Sequence, residues 1–221
     1  MSRGNGRMRI FLDNADYRKF LFILGDVVDE FDIECWDFCV MPNHYHLSLY
    51  PHKPNISRAI QALNGDYGTW WNKTHSTVGH VFQGRFKAQI VQREGYLRAL
   101  CRYIARNPVR AKLVADPADW RWSSYATTVG LAANPGFLYS DPILNQFGDD
   151  DVTVLRKRYQ QHVLAPQWEG DVDDRLRSWE RVLGDRAFKR QVLGDEPAES
   201  AAQRVLLPTV SRLEALRLLP L

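Results

Sequence analysis

The stretch Met41-Pro42-Asn43-His44-Tyr45-His46-Leu47-Ser48-Leu49-Tyr50 decides how the rest of the chain reads. Met41-Pro42-Asn43 is a turn signal, because Pro presets φ and Asn tolerates turn geometry. Before it, Ile33 to Val40 is rich in aromatic and branched residues and predicts a strand. After it, His44 to Tyr50 alternates and predicts a second strand. Side chains alternate across a strand, so His44, His46 and Ser48 share one face while Tyr45, Leu47 and Leu49 share the other. An apolar second face anchors the strand in a core. Two imidazoles are then left side by side, where they can chelate one ion. The same pattern also fits two partly exposed histidines on a half-buried strand.

Outward from this hairpin, Asn14 is a plausible N-cap for a helix running to about Phe31, with Phe20, Leu21, Leu24, Val27 and Val28 as its apolar stripe. Asn55 can cap another helix, on which Ile56, Ile60, Leu63 and Tyr67 are spaced for one face. Val81 to Val91 contains the next strand or strands. A helix from about Glu94 is expected to end near Pro108, which disfavours helix in the residue before it. The order helix, strand, strand, helix, strand, helix is an α+β pattern built on one antiparallel sheet. Leu131 to Gly136, ending Asn-Pro-Gly, marks a linker. Beyond it, residues 137–221 read as a mostly helical, strongly charged accessory region.

A chain of 221 residues can hold one good-sized domain and a smaller appendage. No apolar run approaches the roughly 20 residues that span a bilayer, and Met1 to Arg7 lacks the apolar stretch of a signal peptide. Cys35, Cys39 and Cys101 are an odd set without CxxC spacing, so a disulfide framework is not expected and a reducing cytoplasm is the simplest setting. A zinc site on Cys35 and Cys39 is set aside, since strand positions four apart are separated by about 13 Å. The formal charge of +3 is unevenly spread. Residues 51–113 carry eleven Lys/Arg and only Asp66 and Glu94 as acids, while both flanks are mildly acidic. Such a basic middle suits a polyanion-binding surface.

The second chemical feature is Tyr103-Ile-Ala-Arg-Asn107-Pro108. Tyr103 and Asn107 lie one turn apart on one face of a helix. A tyrosine hydroxyl can attack phosphorus, and the phosphodiester it forms conserves the energy of the broken bond. The amide oxygen of Asn107 could complete a metal site. Taken alone, Tyr103 reads as a core or rim aromatic and Asn107 as a C-terminal helix cap.

Four motifs occur in order: Met41-Pro-Asn-His-Tyr-His-Leu47; Gly79-His-Val-Phe-Gln-Gly-Arg-Phe-Lys87; Tyr103-Ile104 with Asn107-Pro-Val-Arg-Ala111; and Trp122-Ser-Ser-Tyr125. Together they resemble the REP-associated tyrosine transposases, within the larger group of HUH (His-hydrophobe-His) transposases, over roughly residues 3–130. The resemblance implies a ferredoxin-like antiparallel sheet with helices on one face, residues 1–131 forming the transposase domain and 132–221 the helical accessory region. It implies that His44, His46 and Asn107 hold a divalent ion, Mg²⁺ or Mn²⁺, and that Tyr103 is the nucleophile. The reaction implied is cleavage and rejoining of single-stranded DNA at hairpin-forming repeats through a 5′-phosphotyrosine. Arg85, Lys87, Arg98, Arg102, Arg106 and Arg110 would track DNA phosphates, the three at positions 98, 102 and 106 as a stripe on the tyrosine helix. Trp70, Trp71 and Phe86 are candidates for base stacking, with at least one of the tryptophans in the core. The implied partner is single-stranded or hairpin DNA on the nucleoid, not a membrane, and either a monomer or a homodimer is compatible.

The chain departs from the family pattern at its start, where Met1 directly precedes Ser2-Arg3-Gly4-Asn5 and most of the first strand is missing. A domesticated or truncated relative that binds nucleic acid without catalysis is therefore a competing expectation. A metallohydrolase using His44 and His46 with a water nucleophile is another.

Overall fold

In the computed structural model, residues 1–166 and 181–194 are described. Strand β2 (Ile33–Met41) and strand β3 (His44–Pro51) form an antiparallel hairpin closed by Pro42-Asn43, as the alternation predicts. The short β1 (Ser2–Arg3) pairs with the other edge of β3, giving the order β1-β3-β2. Residues 81–87 run along the far side of β1: Asn5 donates to the Val81 carbonyl, Gln83 to Arg3 and Lys87 to Met1. Of the stretch Val81 to Val91, which the sequence expects to contain a strand or strands, β4 (Ile90–Val91) is regular and Phe82 forms a single bridge to Gly4. A two-residue β1 offers too few backbone partners to template a longer ladder, and Gly84 at φ +69° turns the chain away.

Helix α1 (Asn14–Glu30) begins one residue earlier than the sequence suggests, with Asp13 rather than Asn14 as N-cap. The Asp13 carboxylate accepts from the Ala15 and Asp16 amides, and the Asp16 carboxylate accepts from the Asp13 amide, closing a capping box. Helix α2 (Ile56–Thr74) has Asn55 at its N-cap, but the Asn55 side chain donates to the Phe31 carbonyl instead, tying α2 to the end of α1. Phe20, Leu24 and Val27 of α1 join Ile60, Leu63 and Tyr67 of α2 in a core over the sheet face that carries Tyr45, Phe38 and Val40.

A bulge at Trp36 sorts the two faces of β2. Cys35 stands opposite Leu49, but Asp37, Cys39 and Met41 stand opposite Ser48, His46 and His44. Residues directly opposite share a face, so Asp37, Cys39 and Met41 belong with the histidines. Helix α3 (Arg93–Arg110) covers that face, with Ile104 packed on Cys39 and Met41. The α+β class is as expected, while the one-sided placement of helices holds only for α1 and α2. The apolar pair Cys39 and Met41 requires a cover on the second face, and α3 provides it. This helix also runs through Pro108 to Arg110 rather than stopping there. Pro108 sits within the last turn, so its missing N–H costs one bond, and Ala111, Lys112 and Leu113 still donate to Asn107, Val109 and Pro108.

The Trp122-Ser-Ser-Tyr125 motif closes the free edge of β2. Val40 donates to the Trp122 carbonyl, Ser124 to the Phe38 carbonyl, and the Phe38 amide to the Ser124 hydroxyl. Trp122 stacks on Tyr17 at 4.6 Å. A short helix α4 (Tyr125–Thr128) follows. Beyond the linker, α5 (Asp141–Leu144) and α6 (Val152–Leu164) pack Ile143, Leu144, Leu155 and Tyr159 against Leu97, Cys101 and Ala105 of α3. β5 (Val182–Leu183) pairs in parallel with β4 and leads into α7 (Arg186–Leu193). The helical expectation for 167–180 and 195–221 lies outside the described residues. The three cysteines are free and buried, and among the described residues no helix is long and apolar enough to cross a membrane.

Candidate active site

β3 is anchored by Tyr45, whose ring is fully buried and whose hydroxyl donates to Asn64 Oδ1 at 2.7 Å. With that residue fixed in the core, the neighbours on either side, His44 and His46, must project to the α3 face. Their rings lie 5.1 Å apart between centroids. Tyr103, half-buried on α3, meets His46 edge-on with centroids 5.6 Å apart. Asn107 lies one turn further along, and its Nδ2 donates to the Tyr103 carbonyl at 2.8 Å. Its Oδ1 accepts no hydrogen bond among the described residues. The Arg110 guanidinium lies 5.0 Å over the Tyr103 ring. Helical spacing explains this grouping, since 103, 107 and 110 fall on one side of α3.

Burial sets the protonation of the pair. Burial, with the nearby Arg3 charge adding to it, pushes His44 down to about 4. His46 is 6 % exposed and is held well below the usual imidazole range by burial, with His44 as the next cause. Both rings are therefore neutral at pH 7 and present lone pairs, the form that binds a cation. Among the described residues no group of three or more His, Cys, Asp or Glu gathers. The candidate donors are two imidazoles and one carboxamide oxygen, a set that suits a Mn²⁺- or Mg²⁺-type ion completing its shell with water or phosphate oxygens. The residues present fit such an ion.

Residues 3–107, which contain the hairpin, the histidine pair, Tyr103 and Asn107, match the model of the IS200-like transposases. Over this segment the chain is similar to the IS200-like transposases. No sequence among the curated proteins matches the chain. Among solved structures, a REP-associated tyrosine transposase bound to a REP hairpin is similar in fold at 18 % identity and a TM-score of 0.50. The likeness covers 68 % of this chain and 86 % of that one.

The arginine stripe of α3 does not face a ligand as a unit. Arg102 is 6 % exposed and its guanidinium donates to the carbonyls of His162, Val163 and Ala165, while Arg106 donates to Val163. These are the unpaired carbonyls at the C-terminus of α6, which a buried guanidinium satisfies. The expectation that Arg102 tracks phosphates is corrected on this ground, and half-buried Arg106 shares its task. Arg98 is exposed and stacks 4.6 Å over Phe147. Arg85 and Lys87 are exposed on the segment beside β1, and Arg110 adjoins Tyr103. Trp71 is buried and Trp70 half-buried, so one tryptophan is core, as expected. His75 is structural: its Nε2 pairs with buried Asp16 at 2.8 Å. Two residues near the site escaped the sequence reading, Arg3 and Asn43. The alternation of β3 says nothing about the turn before it, and Arg3 reaches His44 only through the β1–β3 register.

Proposed function

We propose that this chain cleaves and rejoins single-stranded DNA at hairpin-forming repeats, with Tyr103 as the nucleophile. The observation that carries the reading is the approach of the Tyr103 ring to His46, with His44 beside it. The Tyr103 hydroxyl attacks the scissile phosphorus in line and loses its proton to water. The bond to the 3′ oxygen breaks, leaving a 5′-phosphotyrosine and a free 3′-OH. Attack by a 3′-OH on that phosphotyrosine forms the new phosphodiester and releases the Tyr103 oxygen, so no ATP is consumed. His44, His46 and the Asn107 carboxamide would hold Mg²⁺ or Mn²⁺, whose charge would stabilise the departing 3′ oxygen. Arg85, Lys87 and Arg110 would contact phosphates, with Arg98 at the margin.

The hairpin bound by the REP-associated relative supports a hairpin substrate, and the basic middle of the chain supports a polyanion. In this reading residues 1–131 carry the chemistry, α5 and α6 of the accessory region buttress α3, and the protein works on nucleoid DNA in the cytoplasm. The test is incubation with a single-stranded hairpin oligonucleotide and Mn²⁺, followed by a denaturing gel. A covalent protein–DNA adduct that is lost in Tyr103→Phe is expected. Cleavage that survives Tyr103→Phe would instead indicate a water nucleophile, and retarded DNA without cleavage a binding protein.

A further inference from the structure

The turn that precedes the histidine pair holds a side chain with a defined relation to one of them. Asn43 Oδ1 lies 2.7 Å from His44 Nδ1. The orientation of that carboxamide is fixed from its other end, where Nδ2 donates to the Arg7 carbonyl at 3.1 Å. A flipped amide would set oxygen against oxygen at Arg7 and NH₂ against His44, so the acceptor end must face the ring. An acceptor at 2.7 Å from Nδ1 requires a proton on Nδ1. The neutral ring then carries its lone pair on Nε2.

Arg7 itself is held in place. It sits at φ +62° after Gly6 at φ +57°, in a loop pinned to the turn by Gly4 donating to the Asn43 carbonyl at 2.8 Å and by Ile10 and Phe11 donating to the Pro42 carbonyl. Gly4 approaches so closely that a Cβ there would clash with the Met8 carbonyl. The loop thus fixes Asn43, and Asn43 fixes the ring.

We infer that Asn43 is a positioning residue that locks His44 in the Nδ1–H tautomer and so presents Nε2 to a cation. Its cation half rests on the reading of His44 as a ligand proposed above, whereas the tautomer is a property of the protein without metal. Metal-binding imidazoles generally depend on such an outer partner, whose loss weakens affinity about 10- to 100-fold.

Two variants separate positioning from anchoring. Asn43→Ala removes both the acceptor at His44 and the donor at Arg7. Asn43→Asp keeps the acceptor and loses only the donor. Long-range ¹⁵N–¹H correlation spectra of the histidine rings, recorded on the metal-free protein at pH 7.5, read the tautomer directly. His44 is expected as Nδ1–H in the wild type and in Asn43→Asp, with a shift towards Nε2–H in Asn43→Ala. An Nε2–H ring in the wild type, or an Asp variant that behaves like the Ala variant, overturns the inference. In a parallel titration with Mn²⁺ followed by EPR of the free ion, Asn43→Ala is expected to bind about tenfold more weakly and Asn43→Asp at least as tightly as wild type. Equal affinity in wild type and Asn43→Ala overturns the presentation of Nε2. Absence of Mn²⁺ binding in all three proteins refutes the metal reading, and the spectra still decide the tautomer.

Discussion

The edge of the His46 ring meets Tyr103 at 5.6 Å between centroids with the planes 84° apart, although the two residues come from a strand and a helix 57 positions apart in sequence. Two features bring them together. The Trp36 bulge places Cys39 and Met41 on the histidine face, and Ile104 packs onto that pair one residue from Tyr103. Tyr103→Phe removes only the half-buried hydroxyl, so its thermal midpoint should lie within about 2 °C of wild type while adduct formation disappears. Calorimetry and the hairpin assay on the same preparation check both halves.

Arg102 should behave as a structural residue. Arg102→Ala leaves the carbonyls of His162, Val163 and Ala165 without their guanidinium. Loss of charge-assisted bonds of this kind costs on the order of 2–3 kcal/mol, measurable as a lower urea midpoint. The salt dependence of hairpin binding should be unchanged, because no phosphate contact is lost.

Arg110 should show the opposite behaviour. Arg110→Gln is expected to weaken hairpin binding. The slope of log K against log salt should become shallower by about 0.7, the value for one single-strand phosphate contact. Fluorescence anisotropy from 50 to 300 mM salt reads it. An unchanged slope would remove Arg110 from the DNA path.

Asp37 and the buried histidines pull the pH dependence of stability in opposite directions across the weakly acidic range. Burial pushes the Asp37 carboxyl up to about 7, against the opposing hydrogen bond from the Ser124 hydroxyl, and Oδ2 has no partner among the described residues. The unfolded carboxyl ionises near 4, so between about pH 4 and pH 7 the folded state holds a proton that the unfolded state has lost. The contribution of Asp37 therefore declines across that window, by up to roughly 4 kcal/mol, and levels off above it, while that of His44 and His46, held neutral when folded, rises with pH. Urea denaturation at pH 5 and pH 8 should show this decline as the difference between the wild-type profile and that of Asp37→Asn, which keeps only the rise from the histidines.

Much of the site was legible because its determinants are local. The alternation around Tyr45 puts His44 and His46 on one face, and four-residue spacing puts Asn107 beside Tyr103. Contacts that depend on what a face touches were not legible. Positions 98, 102 and 106 do share a side of α3, but their periodicity could not show that the C-terminus of α6 lies against them. The bulge at Trp36 was equally hidden, since Ile33 to Val40 carries mostly apolar residues and one acid on each side, so alternation cannot register an inserted residue. At α1 two cap-forming residues stand adjacent, and the reciprocal bond to Asp16 selects Asp13.

The account is tested most directly by locating the covalent bond. After reaction of the protein with a hairpin oligonucleotide and Mn²⁺, nuclease trimming and trypsin digestion, tandem mass spectrometry should find a 5′-linked nucleotide on the Tyr103-Ile-Ala-Arg106 peptide, attached to the tyrosine. Attachment to Tyr96 or any other residue, or efficient strand cleavage with no modified peptide, would contradict it.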